Sequence, residues 1–421
     1  MVSLWVLAST ALLGMSAATA IHSQNAYKSS TSTPLPPSKD PFYTAPFGYE
    51  LVAPGTILRR RNAPGNLTLL VGNCSAAYNI LYRTSDSLEQ PSWAVTTLLI
   101  PETKSSYDSK TALLSYQMAY DSADVDDSPS YTMYSSVEPD IPNALGQGWF
   151  VSVPDFEGPS ASYAAGLASG RATLDSVRAI LSSNYGLSCE STRYAMWGYS
   201  GGALASEWAT ELQNNYAPEL RFSGAALGGL TPNITSVLYS VNGSMYVGLV
   251  PSAVVGLASQ HLNFEKLLLK GLNPSGTYNK SGFLEAKYLS VDQAANYYNG
   301  QNIFDYFMDG AAWFMQPEVK LVTDSEGNMG YHGIPNMPIF AYKAIHDTLS
   351  VISDTDALVE KYCDQGVSIL YSRNTIGGHE AESLNGDPAA FRWLTSVFDG
   401  TLNQTDCVTE NVTVSISTLP Y

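Results

Sequence analysis

Charged residues and cysteines are both scarce in this sequence of 421 residues. Only 14% of the residues are charged and four are cysteines, whereas 45% are hydrophobic. The hydrophobic content excludes an intrinsically disordered chain and indicates a globular protein with a substantial core. Acidic residues outnumber basic ones by 38 to 21, which gives a formal net charge of −17 at pH 7. Because such a surface repels phosphate backbones, nucleic-acid binding is not expected.

Long hydrophobic runs are also missing, since no segment reaches the roughly 18 apolar residues that a membrane-spanning helix needs. The first 20 residues contain no charged side chain, and a short, mostly apolar stretch covers residues 4–13. Ala18 and Ala20 then match the small-x-small pattern at which signal peptides are cleaved. We therefore predict that residues 1–20 are a signal peptide rather than a membrane anchor, and that the protein is secreted and extracellular.

Potential glycosylation sites agree with a secretory route. Asn-x-Ser/Thr sequences are acceptors for N-linked glycans. One of them, at Asn73, has a cysteine in its middle position. The other acceptors are Asn66, Asn233, Asn242, Asn279, Asn403 and Asn411.

The four cysteines are widely spaced, which argues against a zinc cluster with its short Cys-x-x-Cys steps. An even number of cysteines in an oxidising compartment suggests two disulfides, for which three pairings are possible. We favour a pair between Cys363 and Cys407, which would attach the C-terminal tail to the core. The remaining pair is then Cys74 with Cys189.

Short apolar segments alternate with helix-like segments along much of the chain. Several apolar segments are hydrophobic at consecutive positions, as strands buried on both faces of a parallel sheet should be. The alternation predicts an α/β fold, with a mostly parallel central sheet and helices on both faces. The predicted strands cover residues 94–100, 111–116, 150–153, 194–197, 337–342 and 367–371, and the predicted helices cover residues 172–183, 354–364 and 388–398.

Residues 233–329 interrupt this alternation, because they contain helix-prone pieces at residues 247–260, 263–269 and 302–315 but no clear buried strand. We interpret them as a mainly helical cap inserted between two core segments, residues 21–232 and 330–421. Their apolar side chains either form a small core of the cap or line a cavity for an apolar ligand between the cap and the core. The candidate lining residues are Leu249, Val250, Val254, Val255, Leu257, Phe304, Phe307, Trp313 and Phe314.

A Gly-x-Ser-x-Gly sequence centred on Ser200 is the motif that points to chemistry. Its glycines are Gly198 and Gly202, a predicted strand precedes it, and a helix-prone run of small residues follows it. This context is typical of a nucleophile elbow, a sharp turn that places the serine hydroxyl at the end of a sheet. The alternative is a plain glycine turn, which the flanking strand and helix disfavour. We predict that Ser200 is a catalytic nucleophile.

A nucleophilic serine needs a base, and hydrolases with this elbow order their triad as serine, acid and histidine. His379 lies in a glycine-flanked loop between the predicted strand 367–371 and the last helix. Asp347 follows the predicted strand 337–342, which is the usual place of the acid. We therefore predict His379 as the base and Asp347 as the acid. The other candidates are expected to be surface histidines (His261, His332), a neighbouring loop residue (His346) and solvated carboxylates (Asp354, Asp356, Asp364).

Several longer segments resemble the fungal secretory lipase family, which has the α/β-hydrolase fold. The likeness covers roughly residues 42–398, with the insertion in the place of the family's cap. The resemblance implies the same triad, and it adds the backbone N–H groups of Asp121 and Gly201 as an oxyanion hole. The segments that carry it are residues 115–122, 148–158, 163–170, 197–202 and 338–379.

The resemblance implies hydrolysis of carboxylic esters without a metal ion or an organic cofactor. The expected partners are an acyl ester or lipid substrate and a lipid–water interface, with no obligate protein partner. Triacylglycerol hydrolysis is the favoured activity. The alternatives are an esterase for a small or secondary-metabolite ester, such as a trichothecene ester, a peptidase on the same fold, and a non-catalytic lipid-binding protein on a hydrolase scaffold.

Overall fold

A computed structural model describes residues 33–103, 106–107 and 110–416 of the protein. The predicted signal peptide, residues 1–20, lies outside the described residues. The described part of the chain is organised around one large β-sheet, and the elements that carry the candidate site all end at the same edge of it.

The central sheet has eleven strands within the described residues, in the order β1-β2-β3-β6-β5-β7-β8-β9-β10-β11, with β4 paired to β5. The pairings from β6 through β5 to β11 are parallel, whereas β1, β2, β3 and β6 pair antiparallel. The strands are β1 (Ile57–Asn62), β2 (Cys74–Ser85), β3 (Pro91–Pro101), β4 (Ser106–Tyr107), β5 (Lys110–Gln117), β6 (Phe150–Pro154), β7 (Thr192–Tyr199), β8 (Ala225–Gly228), β9 (Ile339–Ala344), β10 (Ile369–Asn374) and β11 (Cys407–Val412).

Helices cover both faces of the sheet, as predicted. Helices α4, α5 and α12 pack on one face, and α1, α3 and α13 pack on the other. The strands between these layers, such as β6, β8 and β9, are buried at every residue. The helices are α1 (Leu67–Val71), α2 (Pro129–Thr132), α3 (Asp140–Gly146), α4 (Gly166–Leu181), α5 (Gly201–Tyr216), α6 (Ile234–Val241), α7 (Leu249–Gln260), α8 (Leu262–Gly271), α9 (Lys280–Leu284), α10 (Val291–Tyr298), α11 (Pro317–Gly327), α12 (Ile352–Asp364) and α13 (His379–Asp399).

The segment between β8 and β9 is built from α6 to α11 and contributes no strand to the sheet. It has a hydrophobic core of its own, in which the ring of Phe307 stacks on that of Trp313 with 4.4 Å between centroids. The predicted helix at residues 302–315 is wrong in detail. Two short 3₁₀ turns, Ile303–Tyr306 and Gly310–Met315, replace it, and the second begins at Gly310, which has a positive φ of 55°.

The disulfide predictions have opposite outcomes. Cys363, near the end of α12, is bonded to Cys407 at the start of β11, as predicted. The pairing of Cys74 with Cys189 is wrong, because both are free thiols. Cys74 is buried in the core at the beginning of β2, whereas Cys189 is exposed in the loop before β7, so the two occupy different environments.

Candidate active site

Ser200 lies in a sharp turn between β7 and α5. Its backbone has φ 53° and ψ −121°, a conformation that side chains rarely adopt. The flanking glycines are required by space: a Cβ atom on Gly198 would lie 2.3 Å from the backbone of Gly202, and one on Gly202 would lie 1.9 Å from Gln117 O. The sequence therefore folds here as a nucleophile elbow, with the serine at the carboxyl edge of the parallel strands.

The structure brings the three predicted triad residues together. His379 Nε2 lies 2.8 Å from Ser200 Oγ, and His379 Nδ1 lies 2.7 Å from Asp347 Oδ2. The three residues follow β7, β9 and β10, and parallel strands that end at one edge bring distant residues into contact there. One detail differs from the sequence prediction: His379 is the first residue of α13 rather than a loop residue before it.

Asp347 is buried and saturated with hydrogen-bond donors. Its Oδ1 accepts the backbone N–H groups of Leu349 and Ser350, both at 2.9 Å, and its Oδ2 accepts from His379 and from Lys343 Nζ. Burial alone would raise the pKa of Asp347, but the hydrogen bond from His379 and the charge of Lys343 outweigh it and lower the pKa to about 2. The residue is therefore a carboxylate at neutral and mildly acidic pH.

The two predicted oxyanion-hole residues lie against each other beside Ser200. Gly201 is the first residue of α5, so its N–H has no acceptor within the helix and lies at the positive end of the helix dipole. Asp121 has φ 47°, and its Oδ1 occupies the space where a side chain on residue 201 would begin, 1.8 Å from a Cβ built there. Burial raises the pKa of Asp121 to about 6.

The remaining candidates lie outside this hydrogen-bonded chain, and two of them were predicted wrongly. His261 and His332 were expected at the surface, but their side chains are only 15% and 23% exposed. His261 Nε2 is 2.7 Å from the fully buried Glu326, and the His332 ring packs on Trp208. His346 is exposed in the loop beside Asp347.

The three candidate carboxylates of α12 were expected to be solvated, but they are not all exposed. Asp356 forms an ion pair with Arg373 at 3.2 Å, Asp354 is half-buried, and Asp364 is exposed. Each of them lies on α12 rather than in the loop that follows β9. Among the candidate acids, Asp347 is the one within hydrogen-bond distance of the His379 ring.

A narrow apolar cavity opens beside Ser200. Its walls come from α5, from α6 and α7 of the inserted segment, and from residues such as Tyr163 and Leu349. Among the predicted lining residues, Leu249, Val250, Val254, Leu257 and Phe314 line it. Val255, Phe304, Phe307 and Trp313 pack in the core of the inserted segment instead. Part of the set therefore lines a cavity beside Ser200, and the rest forms the core of the inserted segment.

Sequence reasoning missed two residues that contact the triad. Lys343, at the end of β9, bonds to Asp347, and Tyr199 donates its hydroxyl to His379 O at 2.5 Å. Tyr199 is the variable residue of the Gly-x-Ser-x-Gly motif. Lys343 directly follows an apolar predicted strand and precedes Asp347 by four residues. A single cation next to a buried strand was therefore the sequence signal that could have identified it.

No metal ligand set accompanies the triad. Within residues 33–103, 106–107 and 110–416, no three histidine, cysteine, aspartate or glutamate side chains are grouped as metal ligands would be. In the same residues, no helix is both long and apolar enough to cross a membrane.

The fold and the elbow together define an α/β-hydrolase that cleaves carboxylic esters, and comparison with known proteins identifies the family. Residues 132–405 match the family model "Secretory lipase", so the chain belongs to the secretory lipase family. It is 50% identical over 403 residues to a "Trichothecene C-3 esterase" of Fusarium sporotrichioides, covering 92% of this chain and 90% of that protein. It is 36% identical to "Lipase A" of Arthroderma benhamiae, covering 91% and 84%.

A solved structure of Candida antarctica lipase A in its closed state superposes with a TM-score of 0.82 at 27% sequence identity, covering 92% of both chains. The predicted fold class and the predicted resemblance are thereby confirmed, as is the prediction of an ester-hydrolysing enzyme. The family acts on ester or lipid substrates.

Proposed function

We propose that this protein hydrolyses esters through a Ser200–His379–Asp347 triad and an acyl-enzyme intermediate. The observation that carries the proposal is the continuous chain of hydrogen bonds from Ser200 Oγ through His379 to Asp347. His379 takes the serine proton as Ser200 attacks the ester carbonyl, and Asp347 stabilises the resulting imidazolium. His379 then protonates the leaving alcohol, and water repeats the sequence on the acyl-enzyme.

The backbone N–H groups of Asp121 and Gly201 are the proposed oxyanion hole. The free N–H at the start of α5 and the proximity of Asp121 to Gly201 support this assignment. A donor of this kind contributes on the order of 10²-fold or more in rate, because it is already oriented when the negative charge develops.

The same proposal assigns residues 1–20 as a signal peptide and residues 233–329 as a cap over the core formed by residues 21–232 and 330–421. Secretion is supported by the uncharged N-terminal sequence and by the family's description as secretory lipases. The cap is supported by the apolar cavity, because α6 and α7 form one wall of it and Ser200 lies on another.

For the substrate, we favour a small secondary-metabolite ester of the trichothecene type. This preference is supported by the identity of 50% to the trichothecene C-3 esterase across about nine tenths of both chains, against 36% for the lipase of Arthroderma benhamiae.

A lipase acting on medium or long acyl chains is the second candidate, and the apolar cavity favours it. Each methylene group removed from water contributes about 0.8 kcal/mol, so an acyl chain gains binding energy only in a slot that excludes water. The walls formed by α6, α7 and Phe314 provide such a slot beside Ser200.

Hydrolysis of p-nitrophenyl esters from acetyl to palmitoyl, of emulsified triglyceride and of a 3-acetylated trichothecene separates the two candidates. The esterase proposal predicts the highest kcat/KM with the acetylated trichothecene, and a clear preference for long-chain esters and triglyceride contradicts it. Cleavage of none of these substrates contradicts both candidates.

A variant pair tests where the acyl chain binds. Ala253 lines the cavity, so Ala253→Phe should fill it and reduce hydrolysis of octanoyl and longer esters while acetyl ester hydrolysis remains. Ala312→Phe is the control, because this alanine is exposed in the same inserted segment. Equal effects of the two variants on all chain lengths would exclude this cavity as the acyl site.

A further inference from the structure

Lys343 is a buried cation in contact with the acid of the site. It lies near the end of β9, and its side chain and that of Asp347 are both 0% exposed. Its Nζ donates to Asp347 Oδ2 at 2.9 Å and to Leu230 O at 2.7 Å. Burying a charged lysine costs free energy. Proteins tolerate it where the ammonium is paired and hydrogen-bonded, as it is here.

The ammonium and the imidazole share one carboxylate oxygen. Asp347 Oδ2 accepts from His379 Nδ1 at 2.7 Å and from Lys343 Nζ at 2.9 Å. In a serine hydrolase triad, the aspartate charge stabilises the protonated histidine. A positive charge on the same oxygen offsets part of that stabilisation, and the effect is large because the pair is buried in a medium of low dielectric constant.

Lys343 also connects Asp347 to the point at which the inserted segment begins. Leu230, whose carbonyl accepts from Lys343, lies between β8 and α6, and the same carbonyl accepts from Ser350 Oγ at 3.0 Å. The adjacent Thr231 and Leu349 line the apolar cavity. The loop that carries Asp347 is thus fixed to the strand connection that leads into the cavity wall.

We propose that Lys343 is a positioning residue that holds Asp347 in place and, through it, lowers the proton affinity of His379, so that the base stays neutral in more acidic medium. The proposal rests on the triad of the proposed function. Lys343 touches neither Ser200 nor the reacting atoms, and it acts only through Asp347. Removing its charge leaves the Asp347 carboxylate free to stabilise the imidazolium fully. On acidification, activity would then begin to fall at a higher pH than in the wild type.

Several other charged or titratable groups surround this pair and remain in place when Lys343 is changed. Burial lowers the pKa of Lys343, whereas the carboxylates that face it oppose that effect. The groups are Asp354 and Asp356 of α12 facing Lys343, and Asp121, Glu380 and the hydroxyl of Tyr199 around His379.

The test is the pH dependence of kcat/KM for a soluble p-nitrophenyl ester in three variants, with active sites counted by phosphonate labelling. Lys343→Met removes charge and donor, Lys343→Gln keeps a donor without charge, and Lys343→Arg keeps the charge. In Lys343→Met and Lys343→Gln the acid limb should move up by about one pH unit, which is roughly a tenfold loss well below the limb. Lys343→Arg should keep the wild-type limb.

Lys270→Met is the control, because it removes an exposed lysine of α8 and the same net charge. It should leave the limb unchanged. A wild-type limb in Lys343→Gln with intact active sites would overturn the proposal, and so would loss of active sites in all three variants, since Lys343 would then be purely structural. Failure of the triad itself would be recognised separately, by turnover that persists in Ser200→Ala.

Discussion

At the scale of single residues, the site depends on a backbone conformation that only its surroundings can maintain. A non-glycine residue at φ 53° and ψ −121° costs on the order of 1–3 kcal/mol. Ser200 is held there by a hydrogen bond from its N–H to Gly228 O at 2.9 Å and by the close approach of Gly198 and Gly202. The strain exposes Oγ to His379 instead of burying it in the sheet.

The first residue-scale prediction concerns the nucleophile. Ser200→Ala should abolish ester turnover and phosphonate labelling, while the melting temperature stays close to that of the wild type, because only a hydroxyl is removed from a rigid turn. Activity assays, mass spectrometry of the labelled protein and thermal unfolding check this. A phosphonate adduct on another serine of the wild-type protein would show that the nucleophile is misassigned.

The second prediction concerns the acid. Asp347→Asn should lower kcat by about 10⁴-fold, because an amide favours the wrong imidazole tautomer. It should also destabilise the fold, since the buried Lys343 would lose the carboxylate to which it is hydrogen-bonded. Asp356→Asn is the matched control, because Asp356 is paired with Arg373 at 3.2 Å rather than with His379. A larger loss of kcat in the control than in Asp347→Asn would place the acid on α12.

Local sequence pattern was sufficient to select the three residues that the structure brings together, but not to foresee their surroundings. Ser200 and His379 are flanked by glycines and lie at the ends of apolar strands, and such signals are short-range. Lys343 and Glu326 are buried charges whose partners, Asp347 and His261, are justified only by contacts made in the folded chain. A sequence gives no distance between such residues, so both were unpredictable in detail.

At the scale of elements, prediction found six strands with continuous apolar runs. It missed β1 and β2, although β2 is long and largely buried, because charged and amide side chains interrupt their apolar residues. The strands β3, β5, β6, β7, β9 and β10 were found from their apolar runs. The strand β8 has only four residues, and β11 is a polar edge strand with almost every residue exposed, so neither gives a hydrophobic signal. The strand β11 is specified by its parallel pairing to β10 and by the disulfide at its first residue.

The disulfide supports a prediction at this scale. Cys363 and Cys407 are 44 residues apart, and a cross-link closing such a loop stabilises the fold by about 4 kcal/mol in the chain-entropy model. The double variant Cys363→Ser, Cys407→Ser should therefore unfold at clearly lower denaturant concentration. Cys189→Ser, which changes an exposed free thiol, is the control. Equal midpoints for the two proteins in denaturant titration would mean that the tail is not held by this bond.

At the scale of the whole molecule, the fold buries many carboxyl groups and few cations. Burial is the largest cause that raises the pKa of each of these groups in the folded protein, and like charges nearby add to it for some. The pKa rises to about 6 for Asp121 and Asp140, to about 7 for Asp155 and Glu382, and to about 8 for Asp387.

These shifts fix the direction in which stability depends on pH. Between about pH 4 and pH 8 the folded state binds more protons than the unfolded chain, so the free energy of unfolding falls as the pH rises. The net charge of −17 at pH 7 acts in the same direction through self-repulsion. Asp347 acts oppositely, because its pKa of about 2 gives stability that is lost as the pH falls from about 4 towards 2.

The expected result is greatest stability in mildly acidic solution, below the pH at which a triad with a neutral histidine is most active. The melting temperature should be higher at pH 5 than at pH 8. By contrast, kcat/KM should be lower at pH 5, because only a neutral imidazole can act as the general base. Asp387→Asn provides the matched variant. It removes the group with the highest of the pKa values given above and keeps an acceptor for the Tyr342 hydroxyl. The difference in melting temperature between pH 5 and pH 8 should therefore be smaller in this variant. A melting temperature that is equal or higher at pH 8 in the wild type would contradict the protonation of these buried carboxyl groups on folding.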